Sequence, residues 1–414
     1  MALDNIIFEV FSRLPVKAIF RFKAISKSCS SLPSEAFFMM QQSLQLQFMD
    51  DDGFFIQPES CSSNVELHAL SEKNTIKGNK NGKKQSSDFG VPDNSLQFLK
   101  EKARILSSSN GLIVCLNREE EDMDLFLCNP ATQNWFLLPN SPESNGFKNS
   151  SYMMGAHVVF NNQIKFPDDY RVIAVESVNE EWPSHTTCSI YSAKDQAWKE
   201  MGRFYTGNRD MRWDMPVYND GVVYLISDSF PYLHRESPFY KPYIVAYDME
   251  KGISRFLRLP REGKRGSDDP SCDMRIFRWG KLGESSPASS SLCVIRLRRS
   301  VFMGWVLQDY DDRAWTRVLK VHVRAMRLVD PNPIICGFTV MNGNLLVFAT
   351  EERVYQCRLA LGAPTDPNGS YGEHLVQVEE ICRHGLGSSR KLKLNAYAST
   401  LRPCGSGETP YPSN

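Results

Sequence analysis

Trp135, Trp198, Phe256 and Trp315 limit this chain more than any other feature, because they fall 63, 58 and 59 residues apart, each just after a polar turn. One plan surrounds all four. In residues 127–135 a short apolar run gives way to Cys-Asn-Pro-Ala-Thr-Gln-Asn before Trp135 opens the next run, and 189–198, 245–256 and 308–315 repeat it. A hairpin recurring at a period slightly longer than the roughly 50 residues of a kelch blade predicts a propeller. The four aromatics read as core anchors on its inner strands, a role that speaks to architecture and not to function.

The rest of the chain beyond about Arg104 has the same texture. Runs rich in β-branched, aromatic and aliphatic residues at 111–116, 125–128, 170–175, 221–226, 243–247, 292–297 and 344–348 are bounded by Asn, Asp, Gly and Pro, which are strand signals. Asn110-Gly111, Asp220-Gly221 and Asn342-Gly343 each lead into such a run, as a tight turn needing positive φ would. Beyond Trp315 the repeat fades and 360–371 resembles an insertion, so blade number stays open.

The first 45 residues read differently. Ile6, Val10, Leu14, Val16, Ile19, Phe22 and Ile25 recur at three- and four-residue spacing around a break at Pro15, predicting two or three short helices. A polar stretch follows, in which 71–87 holds five lysines and two glycines and almost no large apolar residue. Such a segment buries too little surface to offset its ordering entropy and reads as a connector or long loop. The expected fold class is α+β multidomain: a short all-α segment over 1–45, a connector over 46–103 with a partly disordered basic stretch, a large all-β propeller-like domain over 104–402, and a flexible tail over 403–414.

Composition narrows function. The 48 Lys+Arg balance 48 Asp+Glu, so no global field pulls the chain onto nucleic acid or an anionic membrane. No apolar run approaches the roughly 20 residues of a spanning helix, and Asp4 and Glu9 interrupt what would be the core of a secretory signal. The 11 cysteines are scattered without a C-x-x-C pair, which suits free thiols in a reducing compartment, cytoplasmic or nuclear.

Signs of chemistry are sparse. There is no phosphate loop, Ser-nucleophile elbow or H-E-x-x-H, so no catalytic, cofactor-binding or metal-ligating residue is assigned and no cofactor is expected. The acidic runs 119–122 and 50–52 lack Ca²⁺-loop spacing and read as solvated. Basic clusters at Arg296, Arg298 and Arg299 and at Arg258, Arg261, Lys264 and Arg265 suit a phosphate or an acidic segment, or merely exposed charge. Thioester transfer would need a thiolate beside a base, and only Cys188, near His185, and Cys382, near His384, have a histidine close in sequence.

Two stretches carry a resemblance. Residues 3 to about 45 resemble an F-box in the version abundant in plants, through Ser12-Arg13-Leu14-Pro15-Val16-Lys17, Arg21-Phe22-Lys23 and Ser26-Lys27-Ser28. Ser109-Asn110-Gly111-Leu112 and the run Cys128 to Trp135 resemble openings of the plant F-box-associated domain. The chain differs from that pattern in lacking a Leu-Pro pair ahead of the first helix and in carrying Cys29 where a Trp is usual.

The resemblance implies a non-catalytic substrate receptor of a cullin-RING ubiquitin ligase, with an SKP-type adaptor as partner, a cullin bound through it, and a target protein of unknown identity. It places adaptor contacts at Ile6, Val10, Leu14, Pro15, Ile19, Phe22 and Ile25, with Pro15 fixing the turn between helices. A segment so short buries too little apolar surface to be stable alone, and its Ile, Val, Leu and Phe face needs a partner. Two other classes stay in view: a non-ligase binding module whose degenerate F-box no longer engages the adaptor while the β domain sequesters a partner, and a propeller enzyme with groups converging on a central channel.

Overall fold

The computed structural model describes residues 2–14, 16–47, 51–59, 64–70, 97–99, 103–117, 124–139, 153–160, 166–176, 185–219, 221–229, 233–280, 291–310, 312–359, 377–387, 391–405 and 409–410. Four short helices come first: α1 (Ala2–Ser12), α2 (Val16–Phe22), α3 (Lys27–Ser31) and α4 (Ala36–Gln47). Ser26 caps α3, its Oγ accepting from the Cys29 amide at 3.1 Å.

Strands β1 (Gly53–Pro58) and β2 (Glu66–Ala69) follow, then a sheet of β3 (Ala103–Ser109), β4 (Leu112–Asn117), β5 (Leu125–Asn129) and β6 (Asn134–Leu137), paired in that order. The second sheet holds β7 (Met153–Phe160), β8 (Tyr170–Glu176), β9 (His185–Ser192) and β10 (Ala197–Tyr205); the third β11 (Val217–Asn219), β12 (Val222–Ile226), β13 (Tyr243–Asp248) and β14 (Ile253–Arg258). After a single helical turn α5 (Arg261–Lys264), the fourth holds β15 (Asp273–Trp279), β16 (Ser291–Arg298), β17 (Val301–Asp309) and β18 (Ala314–His322). The fifth holds β19 (Gly337–Met341), β20 (Leu345–Ala349), β21 (Arg353–Arg358) and β22 (Val378–Arg383). Finally β23 (Leu392–Tyr397) pairs with β1 in a sixth sheet, and β24 (Thr409–Pro410) joins the outer edge of β6.

Each sheet is a blade, and period-two alternation explains the ring. On β8, Val172 and Ala174 pack toward the first blade while Ile173 and Val175 pack toward the third. On β1, Phe54 and Ile56 face the fifth blade and Phe55 the first. Both faces of a central strand are therefore buried, so Tyr243–Asp248 reads as a continuous apolar run, whereas the outer strand β14 alternates exposed and covered residues. The core is six inter-blade wedges arranged in a circle, with no single centre.

Three expectations change. The recurring aromatics lie on β6, β10, β14 and β18, the fourth strands of their blades counted from the channel, not the inner ones. There they staple blades: the Trp198 indole donates to the Pro139 carbonyl behind β6, and the Trp315 indole to the Arg258 carbonyl of β14 at 3.1 Å. Secondly, the span expected to connect the domains contains β1 and β2, which belong to the sixth blade because β23 alone cannot cover the exposed faces of its neighbours; its lysine-rich portion, 71–87, lies outside the described residues. Thirdly, part of the expected tail is built in, since Cys404 is fully buried and its carbonyl accepts from the Tyr170 hydroxyl at 2.5 Å.

The first strands β3, β7, β11, β15, β19 and β23 surround a central channel of about 1210 Å³. Because strands alternate in direction, the segments entering these strands share one end of the ring, called upper here, with the links between second and third strands. The opposite, lower end carries the turns after each first strand, including Asn110-Gly111 (φ 45°, 82°) and Asn342-Gly343 (φ 50°, 74°), where positive φ is required. Gly111 has a second reason, since a Cβ there would stand 2.0 Å from the Thr400 hydroxyl oxygen.

Candidate protein-binding surfaces

The helices attach at the lower end, near where the ring closes. Val16, Ile19 and Phe38 are fully buried in one cluster with Ala131 of the β5–β6 turn and Leu401 beyond β23. The buried Gln42 of α4 accepts from the Leu401 amide at 2.9 Å. Phe8 sits edge-on to Phe38 and stacks on Phe37, each at 5.4 Å, and Phe11 stacks on Phe22 at 5.0 Å.

This packing sorts the seven expected adaptor contacts. Ile6 (60% exposed), Val10 (51%) and Ile25 (65%) point outward, Leu14 and Phe22 are half-buried, Ile19 is enclosed against the ring, and Pro15 lies outside the described residues. Ile6 and Val10 share one side of α1 by their four-residue spacing. Phe37 (59% exposed) joins the outward apolar set. It had escaped the sequence reading because Phe37 and Phe38 are adjacent, and only the fold says which of two neighbours turns inward. Cys29 is buried.

The two signature-like segments serve the closure. Asn129, fully buried, donates through Nδ2 to the carbonyls of Thr400 (3.0 Å) and Arg402 (2.7 Å), and its Oδ1 accepts from the Ala131 amide (3.0 Å). The Thr400 hydroxyl donates to the Asn110 carbonyl at 3.0 Å. Arg402, also fully buried, forks onto both Asp169 oxygens (2.5 and 3.2 Å) beneath the rings of Phe160 and Phe166. Residues 399–402 are thus held by both segments and by α4. Asp52 belongs to the same seam, accepting from the Ser399 amide at 3.1 Å, and burial raises its carboxyl to about 6. The Asp51 amide donates to Asn342 Oδ1 at 2.6 Å, so the backbone at both described acids of that run is tied to the seam although the Asp52 side chain reaches solvent; residues 119–122 lie outside the described residues.

At the upper mouth of the channel, Arg212 bonds Asp273 (3.0 Å) and Asp214 (3.3 Å), while Arg275 bonds Asp273 (3.0 Å), Glu59 (3.4 Å) and the Phe338 carbonyl (3.0 Å). This chain links the third, fourth, fifth and sixth blades. Burial works against ionisation of Asp273 and Asp214, yet the neighbouring guanidinium groups hold both carboxyls below their ordinary range. Lys393 of β23 lies deeper, giving one hydrogen bond to the Leu106 carbonyl at 2.6 Å, and burial pushes its ammonium down to about 8. Burial likewise lowers the His157 imidazole to about 4.

The two thiols with a histidine close in sequence are not activated. Burial pushes Cys188 and Cys382 up to about 12, against the direction a thioester-forming nucleophile needs. Among the described residues no three His, Cys, Asp or Glu side chains gather as a metal site, and no helix is long and apolar enough to cross a membrane. What the geometry offers instead is two separated surfaces, an apolar helical face below and a charged mouth with its surrounding loops above.

A closed six-bladed ring with helices seated at one end defines a β-propeller scaffold. Comparison with known proteins makes this specific: the chain belongs to the F-box associated beta propeller domain family, whose model matches residues 56–359. It is similar to the F-box protein At5g49610 of Arabidopsis thaliana, 24% identical over 86% of this chain and 89% of that protein. It is also similar to the Arabidopsis thaliana F-box protein CPR1, 22% identical over 77% of this chain and 72% of that one. The match beginning at residue 56, within β1, agrees with a domain that starts earlier than the sequence runs had suggested.

Proposed function

We propose that this protein is the substrate receptor of an SCF-type ubiquitin ligase, with its N-terminal helices as an F-box that binds an SKP-type adaptor and its propeller holding a target. The observation that carries the reading is the outward apolar set Ile6, Val10, Ile25 and Phe37 on helices preceding an F-box-associated propeller. Exposed aliphatic and aromatic side chains contributed by α1, α4 and the turn after α2 call for a covering partner. Of the contact set carried by the resemblance, Ile6, Val10 and Ile25 make direct contact, Leu14, Pro15 and Phe22 shape the surface, and Ile19 seats the helices on the ring. The receptor acts by proximity: it holds its target beside a ubiquitin-charged enzyme carried elsewhere in the complex and raises their effective concentration.

The test is co-purification of the full chain with a plant SKP-type adaptor, alongside Ile6→Asp/Val10→Asp. Both positions are exposed, so the variant keeps its fold and loses the adaptor. An unmodified chain that fails to bind any adaptor sinks the ligase reading. One observation favours a second reading in which the chain sequesters its partner without a ligase: part of the helical apolar surface, Val16, Ile19 and Phe38, is already committed to the propeller.

A further inference from the structure

The upper rim of the fourth blade gathers positive charge that the seam, the channel and the helices do not use. Arg296 is buried, stacks 5.5 Å from the Trp305 ring and donates to the carbonyls of Glu262 (2.7 Å), Gly263 (3.0 Å) and Arg265 (2.9 Å). Arg298 donates to the same Arg265 carbonyl at 2.8 Å. These bonds fasten the segment entering β15 to the β16–β17 turn. The next loop is tied on by the Val323 amide, which donates to the Ser300 carbonyl at 2.8 Å.

The result is an edge carrying exposed Arg258, Arg261, Arg265, Arg299, Arg324 and Arg327. The acids along it are engaged: Glu262 by Arg317, Asp268 by Lys241, Asp269 by Arg299. Among the described residues, the other five exposed arginines have no carboxylate partner. Burial, and after it the charge of Arg258, lower the Lys264 ammonium. In a chain of net charge +0 this excess is local.

An independent observation is the backbone of the β16–β17 turn. Arg299 (φ 47°) and Ser300 (φ 59°) occupy the left-handed region in succession, where Asn110-Gly111 and Asn342-Gly343 supply a glycine as the second residue and the lower turns at Gln133, Gln196 and Arg313 need only one such residue each. Arg327 (φ 50°) does so again in the next loop. Side chains with a Cβ resist this conformation, and among the described residues only this turn sets two non-glycine residues in it side by side. The turn carries an arginine at its tip, its side chain 76% exposed. Beyond Arg327 the same loop presents Val329 (64% exposed) and Ile334 (60%).

We propose that this rim is the docking site for an acidic segment of the captured protein, its carboxylates or phosphates lying along the arginines and its flanking aliphatic side chains on Val329 and Ile334. The inference rests on the receptor reading and adds the chemistry of the target. Opposite charge steers the encounter, and the two apolar side chains supply contacts that salt does not screen.

Fluorescence anisotropy of a labelled Asp/Glu peptide flanked by leucines, with a phosphoserine version as a second arm, measures binding to the full chain without adaptor. Arg261→Glu/Arg324→Glu is expected to weaken binding about tenfold or more, roughly 1.4 kcal/mol per decade, and Val329→Asp to weaken it at high salt as well. Reversal at exposed lower-end sites, Lys194→Glu/Arg313→Glu, is expected to change it less than about twofold, because those turns lie well beyond one Debye length of the rim. Tighter binding of either peptide arm tells carboxylate from phosphate recognition within the proposal. Equal losses in the two reversal variants, no binding by the unmodified chain, or stronger binding of single-stranded RNA of matched charge would each overturn it. Adaptor co-purification on the same preparations keeps the readings apart: peptide binding without adaptor binding leaves the rim and removes the ligase, and the converse removes the rim alone.

Discussion

Replacing Lys393 with methionine changes how stability depends on pH, and the direction follows from where the ammonium sits. The side chain is buried in the channel wall with one carbonyl partner, and burial lowers its pKa from 10.5 to about 8, Asp214 opposing the shift less strongly. At about 1.4 kcal/mol per pH unit between those values, the buried ammonium costs the fold about 3 kcal/mol relative to the neutral amine. Below pH 8 both folded and unfolded chains are protonated and the full cost is present. Between pH 8 and 10.5 the folded chain releases the proton while the unfolded chain keeps it, so the cost falls away as pH rises. Buried thiols such as Cys188 and Cys357, raised from 9.0 to about 12, act in the opposite sense above pH 9, but equally in both proteins. The quantity to measure is therefore the difference in urea-unfolding free energy between unmodified protein and Lys393→Met, from pH 7 to 10. The unmodified protein should gain about 2 kcal/mol on the variant across that range. Parallel curves would show that the ammonium is solvated in the channel, and a gap closing the other way would show that Asp214 holds it charged.

Three further outcomes are expected at the seam. Asp52→Asn keeps an oxygen for the Ser399 amide but removes a carboxyl raised from 3.8 to about 6; the native acid binds its proton more tightly than the unfolded one, so its stabilisation is lost as pH rises through 6. Because the Asp52 side chain reaches solvent, screening shrinks the effect: the variant should be more stable by at most about 1 kcal/mol at pH 7.5 and equal to the unmodified protein below pH 4, by thermal melts. Asn129→Ala strands two buried carbonyls and one amide and should cost roughly 2–4 kcal/mol in urea unfolding; a loss under about 1 kcal/mol would mean water replaces the side chain. Arg402→Met leaves Asp169 uncompensated and should cost about 3–5 kcal/mol, much of it restored by Arg402→Met/Asp169→Leu, whereas additive losses would contradict a paired burial.

What was readable in advance follows position in the blade. The seven strand runs picked out from the sequence became β4, β5, β8, β12, β13, β16 and β20, every one a second or third strand. Those strands are covered on both faces, which writes an unbroken apolar run. First strands were harder to see because one edge faces the channel and carries groups such as Arg275 and Lys393. The tryptophans were found but misplaced, since a period locates a repeat without saying which strand of it is outermost. On the helices, spacing found Ile6, Val10 and Ile19 alike, and it took the ring's own surface at Ala131 and Leu401 to turn Ile19 inward and leave the other two outside.

By itself the sequence determined the local plan: strand, turn, aromatic, repeated at a nearly constant interval behind a helical start. Alternation along a strand and positive φ in a turn act over a few residues, so they can be read in order along the chain. Closure was decided only in three dimensions. Asp52 meets Ser399, Asn129 meets Arg402 and β1 meets β23 across most of the chain's length, and no local period records which distant edge a strand will find. The same holds for the rim arginines, drawn from three segments that become neighbours only when the blades stack.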